Sequence, residues 1–166
     1  MNIQTLITNY ADYSLWANQQ YVNWLSAQPL EQLNQEVPSS FSSILKTLNH
    51  IWAIEEYWYS VIAQKPGFEN RYGIEDLNAD EVFKGLINRS TALANKIKSF
   101  TEAQLTENLK VVSPWLDTNQ PRFEYILQLV NHGTYHRGQL ATISHHTGLT
   151  GIPNTDYVFF KAAQQQ

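Results

Sequence analysis

The amino-acid sequence predicts an all-α fold, a four-helix bundle. Three observations carry that expectation. Apolar residues recur at spacings of three and four over four long segments, as the faces of amphipathic helices require. Pro29, Pro66-Gly67, Pro121 and Gly148 stand at the boundaries of those segments. The chain of 166 residues, 43% hydrophobic and 16% charged, has the size and composition of one domain with a real core, so residues 1–166 are expected to form a single domain.

The first helix is expected over about Asn2 to Ala27, where Ile3, Leu6, Ile7, Tyr10, Tyr13, Ala17, Tyr21, Trp24 and Leu25 make one apolar face and Pro29 ends the run. The second is expected over about Phe41 to Gln64, with Ser39 and Ser40 as candidate caps. Phe41, Ile44, Leu45, Leu48, Trp52, Tyr59 and Ile62 make one of its faces, and Ile51, Ile54, Trp58 and Val61 another. A helix apolar on two sides belongs near the centre of a bundle. Asp80 is the expected cap of a third helix reaching Phe100, whose stripe holds Val82, Phe83, Leu86, Ile87, Leu93, Ala94 and Ile97.

Between the third and fourth helices lies the longest connection, the natural place for a crossover or a partial lid. Thr101 to Asn108 reads as one or two short turns, Leu109 to Val112 as a brief extended piece, and the DTNQPR run as a loop. The fourth helix is expected over Arg122 to Thr147, entered through Pro121 and stopped by Gly148. In the tail, Tyr157, Phe159 and Phe160 form an aromatic group expected to pack back on the bundle. Four such helices with short connections are the arithmetic of a four-helix bundle.

Composition removes several function classes. With no cysteine there is neither a disulfide scaffold, nor a thiolate metal site, nor a cysteine nucleophile. The net charge is −4 and the lysines and arginines are scattered, so nucleic acid is not an expected partner. The first twenty residues lack the basic and apolar regions of a signal peptide, and no apolar run approaches a membrane span. The expectation is a cytoplasmic protein without a membrane partner.

Five histidines remain: His50, His132, His136, His145 and His146. Leu129, His132, His136, Gln139, Leu140 and Ile143 lie along one face of the fourth helix, so two imidazoles a turn apart face inward. That is the geometry by which a helix offers two histidines to zinc. Two ligands do not close a site. His50, flanked in helical space by Thr47, Ile54 and Tyr57, is expected to face inward from the second helix and complete a set of three with an open position. A lone histidine on a helix is more often a satisfied core or surface group, and His145 and His146 can simply favour the helix C-terminus as cations. By spacing His146 continues the inward stripe, so it reads as either a decoy or a reserve ligand. The adjacent Glu55 and Glu56 point to different faces, and the Glu-x-x-His pairs of a di-iron bundle are missing. No GxSxG, P-loop, GxGxxG or HExxH motif is present.

The run HGTYHRGQLATISHHTG, from His132 to Gly148, resembles the last-helix signature of the DinB/YfiT-like superfamily. LNHIWAIEEYW, from Leu48 to Trp58, resembles its second-helix segment, YADYSLWAN its first helix, and GIPNTDYVFF its tail. The resemblance spans nearly the whole chain. It implies an up-down-down-up four-helix bundle, often a homodimer, with one divalent metal ion on three histidines, which match His50, His132 and His136. Arg137 and Gln139 match the pattern too, and packing or hydrogen bonding between helices accounts for them without a catalytic role.

Characterised relatives include S-transferases that use low-molecular-weight thiols such as bacillithiol or mycothiol, and a thiol-dependent isomerase. The resemblance therefore implies a metal-dependent transferase acting on a small-molecule substrate, with zinc or nickel as the ion and such a thiol as co-substrate. The alternatives are a metal-dependent hydrolase and a non-enzymatic metal-binding stress-response module. Imidazole ligands suit zinc, nickel, copper and iron alike.

Overall fold

The computed structural model describes residues 2–165. Four long helices dominate it: α1 (Ile3–Leu25), α3 (Ile44–Ile62), α4 (Ala79–Lys98) and α6 (Arg122–His146). Short helices α2 (Leu30–Asn34), α5 (Glu102–Thr106) and α7 (Tyr157–Ala163) fill the connections and the tail. Strands β1 (Asn108–Ser113) and β2 (Leu116–Pro121) pair as an antiparallel hairpin. The chain is thus mostly helical, with one small sheet that the all-α expectation leaves out.

Helix boundaries follow capping chemistry. Asn2 caps α1, its Oδ1 accepting from the backbone N–H of Thr5 at 2.9 Å. Ser43 caps α3, in place of the expected Ser39 or Ser40, because its Oγ is the one that accepts from the backbone N–H of Lys46. Asn78 caps α4 in place of Asp80, which lies inside the first turn and there complements the helix dipole as an acid. Thr101 and Gln104 form a reciprocal capping box on α5. Gly148, at φ +78°, follows α6 in the left-handed conformation that suits a helix stop.

The hairpin corrects the reading of the DTNQPR run as a loop, since Asp117 to Pro121 lie in β2 and Arg122 opens α6. Leu109 and Val111 of β1 face the core, while every residue of β2 is at least partly exposed. β2 owes its extended form to pairing with β1, Val111 opposite Thr118, so no apolar alternation marks it.

Helix α1 packs on α4 and α6, and α3 packs on the same two helices from the other side. At one end of this body Leu25, Ile44, Leu48, Leu86, Leu140 and Ile143 meet in a buried cluster. At the other end Ile7, Ile62, Ile97, Leu105, Ile126 and Leu129 do the same. Burial of such side chains stabilises a fold by about 1.5–3 kcal/mol each before chain entropy is charged against it. In the tail, Tyr157 and Phe160 pack on Tyr10, Tyr13 and Trp16. Phe159, expected in the same cluster, is half exposed because it falls on the outer face of α7.

Buried charges tie these elements together. Arg122 donates to the carbonyl of Ile62 at the end of α3, to the carbonyl of Gln104 at 2.9 Å, and pairs with Glu107 at 2.6 Å. Arg137 donates to Asn18 of α1 at 2.9 Å, and the same Asn18 donates to Glu55 of α3 at 2.9 Å. Glu56, the next residue along α3, pairs with Arg89 of α4 at 2.6 Å. A buried charge is tolerated only when hydrogen-bonded in this way.

Candidate metal centre

Because α3 and α6 lie side by side, the middle of one faces the middle of the other. His50 comes from α3, half buried, with Thr47 buried and Ile54 and Tyr57 partly buried around it. His132 and His136 come from α6, one turn apart. Nε2 of His50 lies 3.0 Å from Nε2 of His132 and 3.1 Å from Nε2 of His136. The three ligand atoms all fall within 4.8 Å of one another, and among the described residues no carboxylate joins them.

The ring orientations are set from behind. Nδ1 of His136 donates to Oε1 of Gln139 at 2.8 Å, and the amide of Gln139 donates onward to Ser40. With its proton on Nδ1, His136 presents a bare lone pair at Nε2. Phe41 stacks on His50 with centroids 4.0 Å apart and meets His136 at an edge. Tyr135 meets the other side of His136 edge-on at 5.0 Å.

Burial, helped by the neighbouring imidazoles, pushes His50 down to about 3. Burial and His136 push His132 down to about 4. Burial also lowers His136, against an opposing rise from the Gln139 hydrogen bond. All three rings are therefore neutral near pH 7, the form that binds a metal. Neutral nitrogens whose lone pairs converge at 3.0 to 3.1 Å repel one another unless a proton or cation lies between them. Nitrogens held tetrahedrally at about 2.0–2.1 Å from a zinc-sized ion stand roughly 3.3 Å apart. The residues fit such an ion.

The other two histidines take no part. His145 and His146 are both exposed in the last turn of α6. The expectation that His146 continues the inward stripe fails because Ile143 and Ser144 occupy the buried positions there.

A family profile described as DinB family matches residues 1–166. The chain belongs to the DinB family. Protein DinB of Bacillus subtilis (strain 168) is 29% identical over 173 residues, covering 88% of each chain. The crystal structure of a DinB-like protein from Bacillus cereus ATCC 10987 superposes with a TM-score of 0.70 at 21% identity, over 86% of this chain and 91% of that one.

In this DinB chain, some parts of the site lie beyond the reach of the sequence motif. Gln139 orients His136, a role signalled only by its position one turn on. Phe41 reaches His50 from just outside α3, whereas periodicity places it inside that helix. Tyr72, in the connection between α3 and α4, lies 6.5 Å from the His50 ring, and no pattern in the sequence singles it out. A cleft of about 210 Å³ opens beside His50, lined by Phe41, Lys46, Tyr72, Ile74 and Leu77. Among the described residues no helix is long and apolar enough to cross a membrane.

Proposed function

We propose that His50, His132 and His136 hold one divalent ion, zinc or nickel, and that the protein is a metal-dependent transferase using a low-molecular-weight thiol of the bacillithiol or mycothiol kind. The observation that carries the site is the convergence of three neutral imidazole nitrogens with no carboxylate among them. The cleft beside His50 supports a catalytic over a structural ion, since structural zinc sites are closed and catalytic ones keep a position open. The thiol rests on the family resemblance.

When bound, the ion would lower the pKa of a thiol placed at its open position. The residues of the chain supply the rest. Gln139 keeps the Nδ1 proton of His136 away from the ion. Phe41 covers one face of the His50 ring and keeps water from it. In the transfer itself a sulfur–carbon bond forms as the sulfur electron pair attacks an electrophilic carbon. The leaving group departs with its bonding pair, and the thiol proton goes to solvent.

The same reading takes residues 1–166 as one domain, an up-down-down-up four-helix bundle that acts in the cytoplasm on a small molecule as a homodimer. The packing of α1 and α3 on both α4 and α6 supports the bundle.

Elemental analysis tests the proposal, on protein purified without a nickel column. About one equivalent of metal in wild type and nearly none in His50→Ala is expected, followed by turnover of electrophiles only with added thiol. Turnover without thiol would identify a hydrolase. Absence of stoichiometric metal from both proteins would leave a non-enzymatic module.

A further inference from the structure

The connection between α3 and α4 is exposed almost throughout, from Gln64 to Asp76, yet Arg71 within it is 3% exposed. Its guanidinium lies 3.5 Å over the ring of Trp52. Its Nε donates to Oδ1 of Asn49 at 3.1 Å, and Nδ2 of Asn49 donates back to the Arg71 carbonyl at 3.1 Å. Its two terminal nitrogens pair with Glu69 at 2.7 Å and Glu81 at 2.9 Å. Every nitrogen of the guanidinium is engaged, and the segment is pinned at one point.

That point is next to the metal centre at both ends. Asn49 directly precedes His50, and Tyr72 directly follows Arg71. The clamp therefore places the Tyr72 ring 6.5 Å from the His50 ring, at 56° to it. Tyr72 remains 46% exposed, and among the described residues none hydrogen-bonds its hydroxyl. A large ring left half bare beside a cleft has no packing account. Phe41, stacked on His50, lines the same cleft. That cleft is small, about 210 Å³, with apolar walls at Ile74 and Leu77 and the Lys46–Glu75 ion pair at 3.3 Å on its lining. Rigid aromatic walls of this kind favour another π-face over a puckered group of equal size.

We propose that Tyr72 and Phe41 form a slot selecting a flat, unsaturated or aryl group on the molecule bound at the histidine centre. Arg71 is the positioning residue that holds Tyr72 in place. The inference rests on the reading of that centre as a metal site open to a thiol.

The test uses the full-length protein loaded with cobalt(II) as a spectroscopic ion. Phenylmethanethiol and cyclohexylmethanethiol have equal carbon counts and differ in flatness. Each is titrated while the sulfur-to-cobalt absorption is followed. The readout is the ratio of the two dissociation constants, in which intrinsic sulfur basicity cancels between proteins.

Wild type is expected to favour the phenyl thiol, Tyr72→Phe to keep the ratio, and Tyr72→Ala to lower it at least threefold at unchanged cobalt content. Arg71→Met is expected to lower it likewise, and Tyr72, being exposed, gives a variant that does not endanger the fold. Equal ratios in wild type and Tyr72→Ala, with both thiols bound, would overturn the slot while sparing the metal site. Lack of retained cobalt, or of any thiol absorption, in wild type would overturn the site and the slot together.

Discussion

Oε1 of Gln139 accepts the Nδ1 proton of His136 at 2.8 Å, one helical turn along α6. The hydrogen bond fixes both the tautomer and the ring plane of a proposed metal ligand. Outer partners of this kind typically govern about 10–100-fold in metal affinity. Gln139→Leu is therefore expected to weaken metal binding by about that factor while leaving the fold intact, measured by competition against a chromophoric chelator. An affinity equal to wild type would remove Gln139 from the site.

The assignment of ligands makes a sharper demand on the histidines. His132→Ala and His136→Ala are each expected to lose most bound metal. His145→Ala and His146→Ala, altered on the exposed end of α6, are expected to keep it. Elemental analysis of the four variants decides the matter, and loss of metal from the His145 variant alone would overturn the triad.

The pH dependence of the metal-free protein has two parts of opposite sign. His50 and His132, at about 3 and about 4 in the fold, lie below the ordinary 6.5 of the unfolded chain. Between those values the unfolded chain binds more protons, so their stabilising contribution is full above pH 6.5 and is lost as the pH falls below it. Glu55 behaves in the reverse way. Burial pushes it up to about 7, against the hydrogen bonds of Ser90 and Asn18 that favour the anion. Its contribution is present below the unfolded value of 4.5 and is lost as the pH rises through 7. In denaturant titrations, Glu55→Gln should therefore gain on wild type as the pH is raised from 5 to 8. A pH-independent difference between the two proteins would show that Glu55 titrates normally.

Gly85 of α4 meets the ring of Trp52 so closely that a Cβ there would overlap three of its carbons. Trp52 cannot retreat, since Arg71 lies over its ring at 3.5 Å and its Nε1 donates to Glu56 at 3.0 Å. Gly85→Ala is expected to cost about 1–3 kcal/mol, the usual scale of overpacking a filled core. Chemical denaturation measures this directly, and an unchanged midpoint would mean that α4 shifts freely.

The long helices were legible because their apolar spacing is a direct consequence of one-sided burial. His132 and His136 were legible for the same reason, being spaced as the stripe is. Caps were less so: Ser39, Ser40, Ser42 and Ser43 all precede α3, and only hydrogen-bond geometry selects Ser43. The second strand was invisible because both its faces meet water and its partner alone keeps it extended. Arg71, Arg122 and Arg137 are the hardest case. Each is buried, and apolar periodicity says nothing of a buried cation.

The histidine centre joins residues far apart along the chain, 82 positions between His50 and His132 and 86 between His50 and His136. An ion held there closes a loop that contains all of α4, α5 and the hairpin. In polymer terms it is a reversible cross-link, and the denatured chain that keeps it loses configurational freedom. In the native chain such an ion would tie α3 to α6, so that pulling the two helices apart breaks at least one of its bonds to His50, His132 or His136. Removing the ion beforehand takes that tie away, so the metal-free protein should unfold faster than the loaded one as well as at a lower midpoint.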